Sequence, residues 1–294
     1  MNNQQQHQPE VQSFLQKQFS NRDWEFTLPH GYGNETYFAH GNGQTYFVKL
    51  GAPVSNYQAV ASIGLTPPLI ATGFLEDGTS ILVQSHITGR KPSRKDYRDY
   101  LEQIAAIIDK THHSPELRSI LPDAPSVLYN DLASESLSRV QQRWEQYKAQ
   151  VPAIAAQLDE NLANLRQLAH CLPGAGVVSS HNDICNANWL IASDGNIYLI
   201  DLDSMSMDDP ACDIGATLWW YYPPGLRQRF LEIVGYAKDE QFEKRMHVRM
   251  AIHCLNITLP RVHSFDRFDP ENYAEALTDF WAILAGRENP QGYD

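Results

Sequence analysis

Hydrophobic and polar positions follow a strand-like pattern in the first part of the chain. Short apolar runs alternate with turn residues, which is typical of strands joined by tight turns. The predicted strands are Trp24 to Pro29, Thr36 to His40, Thr45 to Leu50, Leu69 to Phe74 and Ile81 to Gln84. Gly41-Asn42-Gly43 and Glu76-Asp77-Gly78-Thr79 separate neighbouring runs, and each predicts a hairpin turn.

After Gly89 the apolar positions change to a helical period. One series is Tyr97, Leu101, Ile104, Ile108 and Thr111, and another is Ile154, Leu158, Leu162, Leu165, Ala169 and Leu172. Three short apolar runs interrupt the helices, at Val177 to Ser180, Trp189 to Ala192 and Ile197 to Ile200. Ser193-Asp194-Gly195-Asn196 lies between the last two runs and predicts that they pair as a hairpin.

These patterns predict an α+β fold with two lobes. We expect a disordered tail over residues 1–12, a small β-rich N-lobe over 13–87 and a larger, mainly helical C-lobe over 88–294. The tail prediction rests on a polar start that is rich in Gln and Asn. The segment from Gln84 to Gly89 is the predicted hinge, and the cleft between two such lobes is where ligands usually bind.

Composition and charge narrow the classes of partner. Of the 294 residues, 43% are hydrophobic, which is enough to bury a core. The chain has 23 basic and 35 acidic residues and a net charge of -12, which argues against nucleic acid as a partner and is compatible with a cationic substrate. No apolar run approaches the length of a membrane helix, and the polar start does not resemble a signal peptide. We therefore expect a cytoplasmic protein.

Candidate chemistry lies between residues 181 and 213, where polar and acidic residues stand at the ends of short apolar runs. Asp183 and Asn188 flank a loop that leads into the run beginning at Trp189, and Asp201 closes the next run. If these runs pair as a hairpin, Asn188 and Asp201 are neighbours. A carboxylate and an amide oxygen at one place suit Mg²⁺, which prefers oxygen ligands.

Phosphoryl transfer needs residues of these types. A carboxylate must orient the acceptor hydroxyl, oxygen ligands must hold metal on the phosphates, and a lysine must neutralise the donor's charge. Asp183 is the candidate carboxylate, and an ordinary ionised aspartate suffices because the proton leaves late in a loose transition state. Each acidic residue alone is explained as well by a turn or a helix cap, but the joint pattern favours the chemical interpretation.

A family resemblance rests on these residues. The motif His181-x-Asp183-x-x-x-x-Asn188, followed by Ile200-Asp201, resembles the aminoglycoside phosphotransferase and choline kinase family, a branch of the protein-kinase-like fold. The segment Asp209-Pro-Ala-Cys-Asp213-Ile-Gly is similar to a later segment of that family. The resemblance extends more weakly over most of the chain. It implies a two-lobed, protein-kinase-like fold and a small-molecule kinase that uses ATP and Mg²⁺.

The resemblance also implies a role for each matching position. Asp183 would be the catalytic base. His181 stands beside it in the catalytic motif and would brace the catalytic loop together with Asp213. Asn188 and Asp201 would be the Mg²⁺ ligands. The implied nucleotide-binding residues are Gly31, Gly33 and Asn34 in a loop over the phosphates, Lys49 as the phosphate lysine, and Gln84, Ser85 and His86 in the hinge, whose backbone would meet adenine.

Lys49 and its surroundings leave alternatives open. A lysine near the end of an apolar strand often only prevents an edge strand from pairing with another chain. The segment after Lys49 also lacks the glutamate that the family's helix pairs with this lysine. Either Glu35 or Glu76 substitutes, or Lys49 is held differently, or the activity is low.

Two further positions depart from the family pattern. Asn182 stands where the family usually has glycine, and asparagine tolerates left-handed backbone conformations better than most residues. Asp203 adds a carboxylate two residues after Asp201, and on an extended chain both face the same side. Asp203 is therefore a candidate support of the metal site or of the acceptor pocket.

The acceptor is the part of the function that the sequence defines least. Trp219 and Tyr222, in an aromatic run of four, are the candidate pocket residues for a cationic or ring-shaped substrate, and ordinary packing is the alternative. The predicted acceptor is a small alcohol: choline or ethanolamine, thiamine, an aminoglycoside, a sugar or a hydroxy amino acid. A protein kinase is disfavoured, because the chain between Asp201 and Asp213 is too short for an activation loop.

Two other functions remain as alternatives. One is a catalytically weak relative that binds a nucleotide or a metabolite, which the missing glutamate favours. The other is a metallohydrolase that uses His181, Asp183, Asp201 and Asp203. The second alternative does not explain Lys49.

Overall fold

The chain forms two compact units. The computed structural model describes residues 6–20, 23–29, 35–41, 43–124, 134–172, 176–260 and 269–293. The first unit contains the described residues up to Pro92 together with Asn186–Ser204, and the second contains Ser93–Cys185 and the described residues from Met205 onward. The first unit thus takes up a segment from late in the chain, which differs from the predicted single boundary between residues 87 and 88.

Each strand that the sequence patterns predict is present, and two further short strands and the helices over residues 8–18 and 54–62 were not predicted. The strands are β1 (Glu25–Thr27), β2 (Thr36–Gly41), β3 (Gln44–Leu50), β4 (Leu69–Phe74), β5 (Ser80–Ser85), β6 (Gly89–Arg90), β7 (Val178–Ser180), β8 (Trp189–Ala192), β9 (Ile197–Leu199) and β10 (Ser206–Asp208). The helices of the first half are α1 (Gln8–Gln18), α2 (Val54–Ser62), α3 (Arg94–Asp99), α4 (Leu101–His112), α5 (Pro115–Ile120) and α6 (Ser134–Tyr147). Those of the second half are α7 (Pro152–Cys171), α8 (Ala211–Tyr221), α9 (Pro224–Ile233), α10 (Phe242–Thr258), α11 (Tyr273–Ala276) and α12 (Thr278–Leu284).

The first unit is built on an antiparallel sheet with the strand order β1-β2-β3-β5-β4. Both predicted hairpins are confirmed, because β2 pairs with β3 and β4 pairs with β5. The late hairpin is confirmed as well, since Trp189 of β8 pairs with Leu199 of β9. A second small sheet in this unit has the order β6-β8-β9.

Helix α1 covers one face of the main sheet, where Val11 and Leu15 are fully buried in the same cluster as Tyr37 and Val48. The helix begins at Gln8, so residues 8–12 of the predicted disordered tail are helical. The polar composition of this segment concealed the helix, because only two of its positions are buried. Residues 1–5 lie outside the described part of the chain.

A histidine fastens the start of α1 to the sheet. The Nδ1 and Nε2 atoms of His7 lie 2.7 Å from Glu35 Oε2 and 3.1 Å from Asp77 Oδ2. Both ring nitrogens therefore face carboxylate oxygens, which only accept hydrogen bonds, so the bound form of the ring is the imidazolium. The hydrogen bond with Glu35 is the main cause that raises the pKa of His7 above its usual value.

This contact makes the stability of the first unit depend on pH. Because the folded pKa of His7 is raised, its stabilising contribution is complete below the unfolded value of about 6.5 and is lost as pH rises through the folded pKa. We expect His7→Ala to lower the melting temperature clearly at pH 6 and much less at pH 9. The exposed His113→Ala in the second unit is the control. An equal loss at both pH values would contradict the ionic role.

The second unit is mainly helical. Helix α10 packs against α8 and α12, and α4 packs against α9 and β7. Helix α8 is apolar on nearly every face, and a helix with that composition belongs in the interior. Strands β7 and β10 pair, with Ser180 opposite Ser206. Among the described residues, no helix combines the length and apolar character that crossing a membrane requires.

Candidate active site

Lys49 stands at the centre of a polar cluster in the first unit. It lies on β3, which is flanked by β2 and β5 and is therefore not an edge strand. Its side chain is 7% exposed, and Nζ lies 2.6 Å from Asp201 Oδ1 and 2.8 Å from Asp203 Oδ2. Burial alone would lower the pKa of Lys49, but the interactions with Tyr57 and Asp201 outweigh it and raise the pKa.

The hairpin β8–β9 places Asn188 beside the start of the Asp201 segment. The Ile200 N–H donates to the Asn188 carbonyl at 2.9 Å, so the neighbourhood predicted from the hairpin is present. Asn188 is buried, whereas the Asp201 side chain is 50% exposed. Asp201 has φ +60°, a left-handed conformation that is uncommon outside glycine. Such outliers concentrate at functional sites.

The residues of this hairpin fit a magnesium ion chemically. One amide and one accessible carboxylate supply the oxygen donors that Mg²⁺ prefers, and the ion usually completes its shell with water and phosphate. Among the described residues, no three His, Cys, Asp or Glu side chains are grouped so that they could hold a metal by themselves. A metallohydrolase site of histidines and carboxylates would need such a group.

In the second unit, Asp213 braces the loop that follows β7. The backbone N–H groups of His181 and Asn182 donate to Asp213 Oδ2 and Oδ1 at 2.7 and 2.8 Å. The buried His112 lies against the same carboxylate, with Nε2 3.2 Å from Oδ2. Burial alone would raise the pKa of Asp213, but the hydrogen bond with His112 and the charge of His112 outweigh it and lower the pKa.

Asp183 follows this braced turn and is only partly buried. Its backbone N–H donates to His181 Nδ1 at 3.4 Å, and the His181 side chain belongs to a fully buried residue. His181 therefore positions the loop. This is the bracing role that the resemblance implies for His181, and its placement among the catalytic residues stays a prediction.

Segment 208–209, between the loop and α8, is held by two arginines of α10. Arg249 Nη2 lies 3.0 Å from Asp208 Oδ1, and Arg245 Nε lies 3.3 Å from Asp209 Oδ2. All four residues are buried. Since removal of one partner would leave a buried charge unpaired, this network fixes the chain that leads to Asp213.

Some of the predicted nucleotide-binding residues lie outside the described part of the chain, and the others make hydrogen bonds within the first unit. Gly31, Gly33 and Asn34 lie outside the described residues. The buried Gln84 donates through Nε2 to the Pro67 carbonyl at 2.8 Å, so its side chain supports the fold. The N–H groups of Ser85 and His86 donate to the carbonyls of Pro68 and Thr45. These two donors are therefore engaged inside the first unit.

The aromatic run from Trp219 to Tyr222, at the end of α8, is part of the core. Tyr222 is fully buried and Trp219 is 8% exposed. The Tyr222 ring lies 6.0 Å from Tyr97 and 5.0 Å from Phe230 between centroids. These contacts favour ordinary packing, the alternative left open by the sequence, and a role of the two residues in an acceptor pocket stays a prediction.

Comparison with known proteins places this site in a family. The model of a family described as the phosphotransferase enzyme family, APH, matches residues 27–247, which is most of the chain. The chain belongs to the phosphotransferase enzyme family. The match includes Lys49, the loop around Asp183 and the segment from Asn188 to Asp213, so it spans both compact units.

Solved structures support the fold of this phosphotransferase. The GDP complex of aminoglycoside 2'-phosphotransferase-IIIa matches with a TM-score of 0.70 at 13% identity, over 97% of this chain and 99% of that chain. Choline kinase LicA from Streptococcus pneumoniae matches with a TM-score of 0.61 at 15% identity, over 92% and 98%. Spectinomycin phosphotransferase APH(9)-Ia, in complex with ADP and spectinomycin, matches with 0.60 at 12% identity, over 97% and 95%. The predicted two-lobed, protein-kinase-like fold is confirmed.

In this phosphotransferase, Lys49 is held without a glutamate from the helix that follows its strand. Tyr57, on α2, accepts a hydrogen bond from Lys49 Nζ at 3.1 Å. Glu35 instead contacts His7 and Tyr37. Tyr57 was not predicted from the sequence, because a tyrosine carries no charge that marks it as the partner of a lysine. The one available indication was its place on α2, the helix that follows the strand of Lys49.

Asn182 of the phosphotransferase takes the left-handed conformation expected at a position where the family usually has glycine. Its φ is +63°, and its Nδ2 donates to Ser206 Oγ at 2.7 Å. We expect Asn182→Ala to lower the free energy of unfolding by about 2 kcal/mol, since it adds left-handed strain and loses this bond. Asn182→Gly and Ser206→Ala should each cost about 1 kcal/mol. Urea unfolding measures the series, and equal stability of the Ala and Gly variants would contradict the strain.

Proposed function

We propose that this protein transfers the γ-phosphate of Mg-ATP to a hydroxyl group of a small molecule. The observation that carries the proposal is the ion pair between Lys49 and Asp201, which are 152 residues apart in sequence, in the same unit as Asn188. A cation for phosphate beside two oxygen donors for metal is the arrangement that phosphoryl transfer requires. Family membership supports a small-molecule phosphotransferase.

The catalytic base in this proposal is Asp183. Its loop is fixed by Asp213 through two backbone hydrogen bonds, and its side chain is partly accessible. An ionised carboxylate on a rigid loop can orient the acceptor hydroxyl and take up its proton. His181 and His112 act through the loop and not on the substrate.

The metal ligands in this proposal are Asn188 and Asp201. When bound, Mg²⁺ neutralises charge on the phosphates. Lys49 supplies a compact positive charge beside the same carboxylate, and its burial limits competition from water. Two of the structurally similar proteins have ADP or GDP bound, which supports a nucleotide as the phosphate donor.

The acceptor remains one of the small alcohols considered above. Structurally similar proteins include a choline kinase and phosphotransferases in complex with kanamycin or spectinomycin, so proteins of one fold differ in the small molecules they bind. The net charge of -12 is compatible with a cationic acceptor. The alternative, a catalytically weak nucleotide-binding or metabolite-binding protein, is favoured by the missing glutamate, and the contacts of Lys49 with Tyr57 and Asp203 weaken that argument.

A screen of ATP consumption tests the proposal. Purified protein is assayed for ADP release with choline, ethanolamine, thiamine, aminoglycosides, sugars and hydroxy amino acids, each with and without Mg²⁺. We expect one acceptor class to raise ADP release well above the acceptor-free rate, and only with Mg²⁺. ADP release that no acceptor changes would favour the weak nucleotide-binding alternative.

Substitution of the two proposed ligands tests the metal site separately. We expect Asp201→Ala to remove the dependence of ATP affinity on Mg²⁺, and Asn188→Ala to weaken that dependence, because each removes one oxygen donor. Isothermal titration of ATP with and without Mg²⁺ measures the effect. Asp194→Asn, in the exposed turn of the same hairpin, is the control. Unaltered metal dependence in both variants would place the site elsewhere.

A further inference from the structure

Lys49 has two partners besides the proposed metal ligand Asp201. Asp203 Oδ2 lies 2.8 Å from Nζ, and the Tyr57 hydroxyl accepts from Nζ at 3.1 Å. The Asp203 side chain is about half as exposed as that of Asp201, at 27% against 50%. Asp203 is thus directed toward the lysine, while Asp201 remains the more accessible of the two carboxylates.

The Tyr57 hydroxyl joins these groups into one network. It donates to Asp203 Oδ1 at 2.9 Å, and it accepts from Lys49 Nζ and from the Leu202 N–H at 3.1 and 3.2 Å. One donated and two accepted bonds use the full capacity of a phenol hydroxyl. The hydroxyl therefore has a fixed orientation, and it fixes both the lysine and the carboxylate.

The same network ties α2 to the segment that contains Asp201. Asn56, which precedes Tyr57 on α2, donates through Nδ2 to the Leu202 carbonyl at 3.1 Å. Leu202 thus has both its backbone N–H and its carbonyl bonded to α2. A displacement of the helix would disturb Lys49 and the metal segment together.

We propose that Tyr57 and Asp203 form a positioning pair for Lys49, in place of the single glutamate expected on this helix. The neutral tyrosine supplies the contact from α2, and the aspartate supplies the charge from the metal segment. Lys49 keeps both partners when Asp201 binds another group. This inference rests on the proposed function, since it assigns the pair to the lysine of that reaction.

A double-mutant cycle tests the pair through turnover. Tyr57→Phe and Asp203→Asn are made in the wild-type background and in Lys49→Ala. We expect each to lower kcat by at least about tenfold with little change in the KM for ATP, because a charge-assisted hydrogen bond to the lysine is lost. In the Lys49→Ala background the same changes should have no further effect. Equal factors in both backgrounds would overturn the proposal.

Matched controls separate positioning from folding. Tyr273→Phe removes the hydroxyl of another buried tyrosine, which bonds Thr258 in the second unit, and Asp194→Asn removes an exposed carboxylate of the first unit. We expect both to keep wild-type kcat. If Tyr57→Phe lowers the melting temperature but leaves kcat unchanged, its hydroxyl is structural and the proposal is wrong.

A second readout does not depend on turnover. Brief labelling with acetic anhydride, followed by mass spectrometry, reports the reactivity of Lys49 relative to the exposed Lys95. We expect labelling of Lys49 to rise severalfold in Tyr57→Phe and Asp203→Asn, because the ammonium loses its partners. Unchanged labelling would refute the pair. If the wild type neither binds Mg-ATP nor consumes it, the proposed function fails, while the labelling still decides whether the pair holds the lysine.

Discussion

Asp183→Asn is expected to lower phosphoryl transfer by about a thousandfold, the range of a lost general base. The amide keeps the size of the side chain, and the backbone bonds of this loop to His181 and Asp213 do not involve the side chain of Asp183. The loss should therefore fall on kcat. The affinity for Mg-ATP should stay within about twofold of the wild type, since Asp183 is assigned to the acceptor.

Two measurements decide this prediction. Steady-state kinetics with the acceptor found by screening give kcat, and calorimetric titration gives the affinity for Mg-ATP. Asp194→Asn carries the same chemical change on an exposed turn and should behave as the wild type. Transfer at a wild-type rate in Asp183→Asn would remove Asp183 from the mechanism.

Lys49→Ala is expected to lower kcat by about a thousandfold, because it deletes a buried charge that would face the phosphates. It also leaves Asp201 and Asp203 without their shared partner, so we expect a moderate fall in melting temperature. Lys49→Arg should restore little, since the planar guanidinium places its charge differently from a compact ammonium. Mg-ATP should raise the melting temperature of the wild type more than that of either variant.

The lysine prediction has its own control. Lys95→Ala removes an exposed lysine of α3 that pairs with Asp99, and it should leave both turnover and the nucleotide-induced shift unaltered. Normal turnover in Lys49→Ala, with the full shift on addition of Mg-ATP, would mean that Lys49 serves only the fold.

Local patterns predicted much of the fold. The hairpin turns around Gly43 and Gly78 gave the correct strand pairs, because such turns impose their geometry on adjacent residues. The helical spacing from Ile154 to Ala169 correctly predicted α7, because the period of apolar positions is also a local property of the sequence. These local patterns did not indicate which segments distant in sequence pack together. The segment 186–204 returns to the first unit, and nothing in its own sequence states which partner its hairpin joins.

In the candidate site too, local relations were predictable and long-range contacts were not. The spacing of Asp183, Asn188 and Asp201 was enough to nominate them, because short loops and one hairpin connect these residues. The partner of Lys49 was not predictable in this way. Tyr57 reaches the cluster from a separate helix, and a tyrosine has no charge that marks it as a lysine partner.

The roles of buried residues were also hard to predict from the sequence. His112 gave no signal, since one histidine at the end of an amphipathic helix is ordinary, yet its contact with Asp213 supports the loop. Trp219 and Tyr222 gave an ambiguous signal. An aromatic run suits both a ligand pocket and a core, and only the packing of α8 separates the two.

Direct observation of the transferred phosphate is the most decisive measurement. The protein is incubated with ATP labelled at the γ-phosphate, Mg²⁺ and the small-alcohol panel, and the products are separated by chromatography. We expect the label to pass from ATP to one acceptor class as a phosphate ester, and we expect Asp183→Asn to abolish this transfer. Label that remains in ATP, or that appears only as inorganic phosphate with every acceptor, would contradict this expectation.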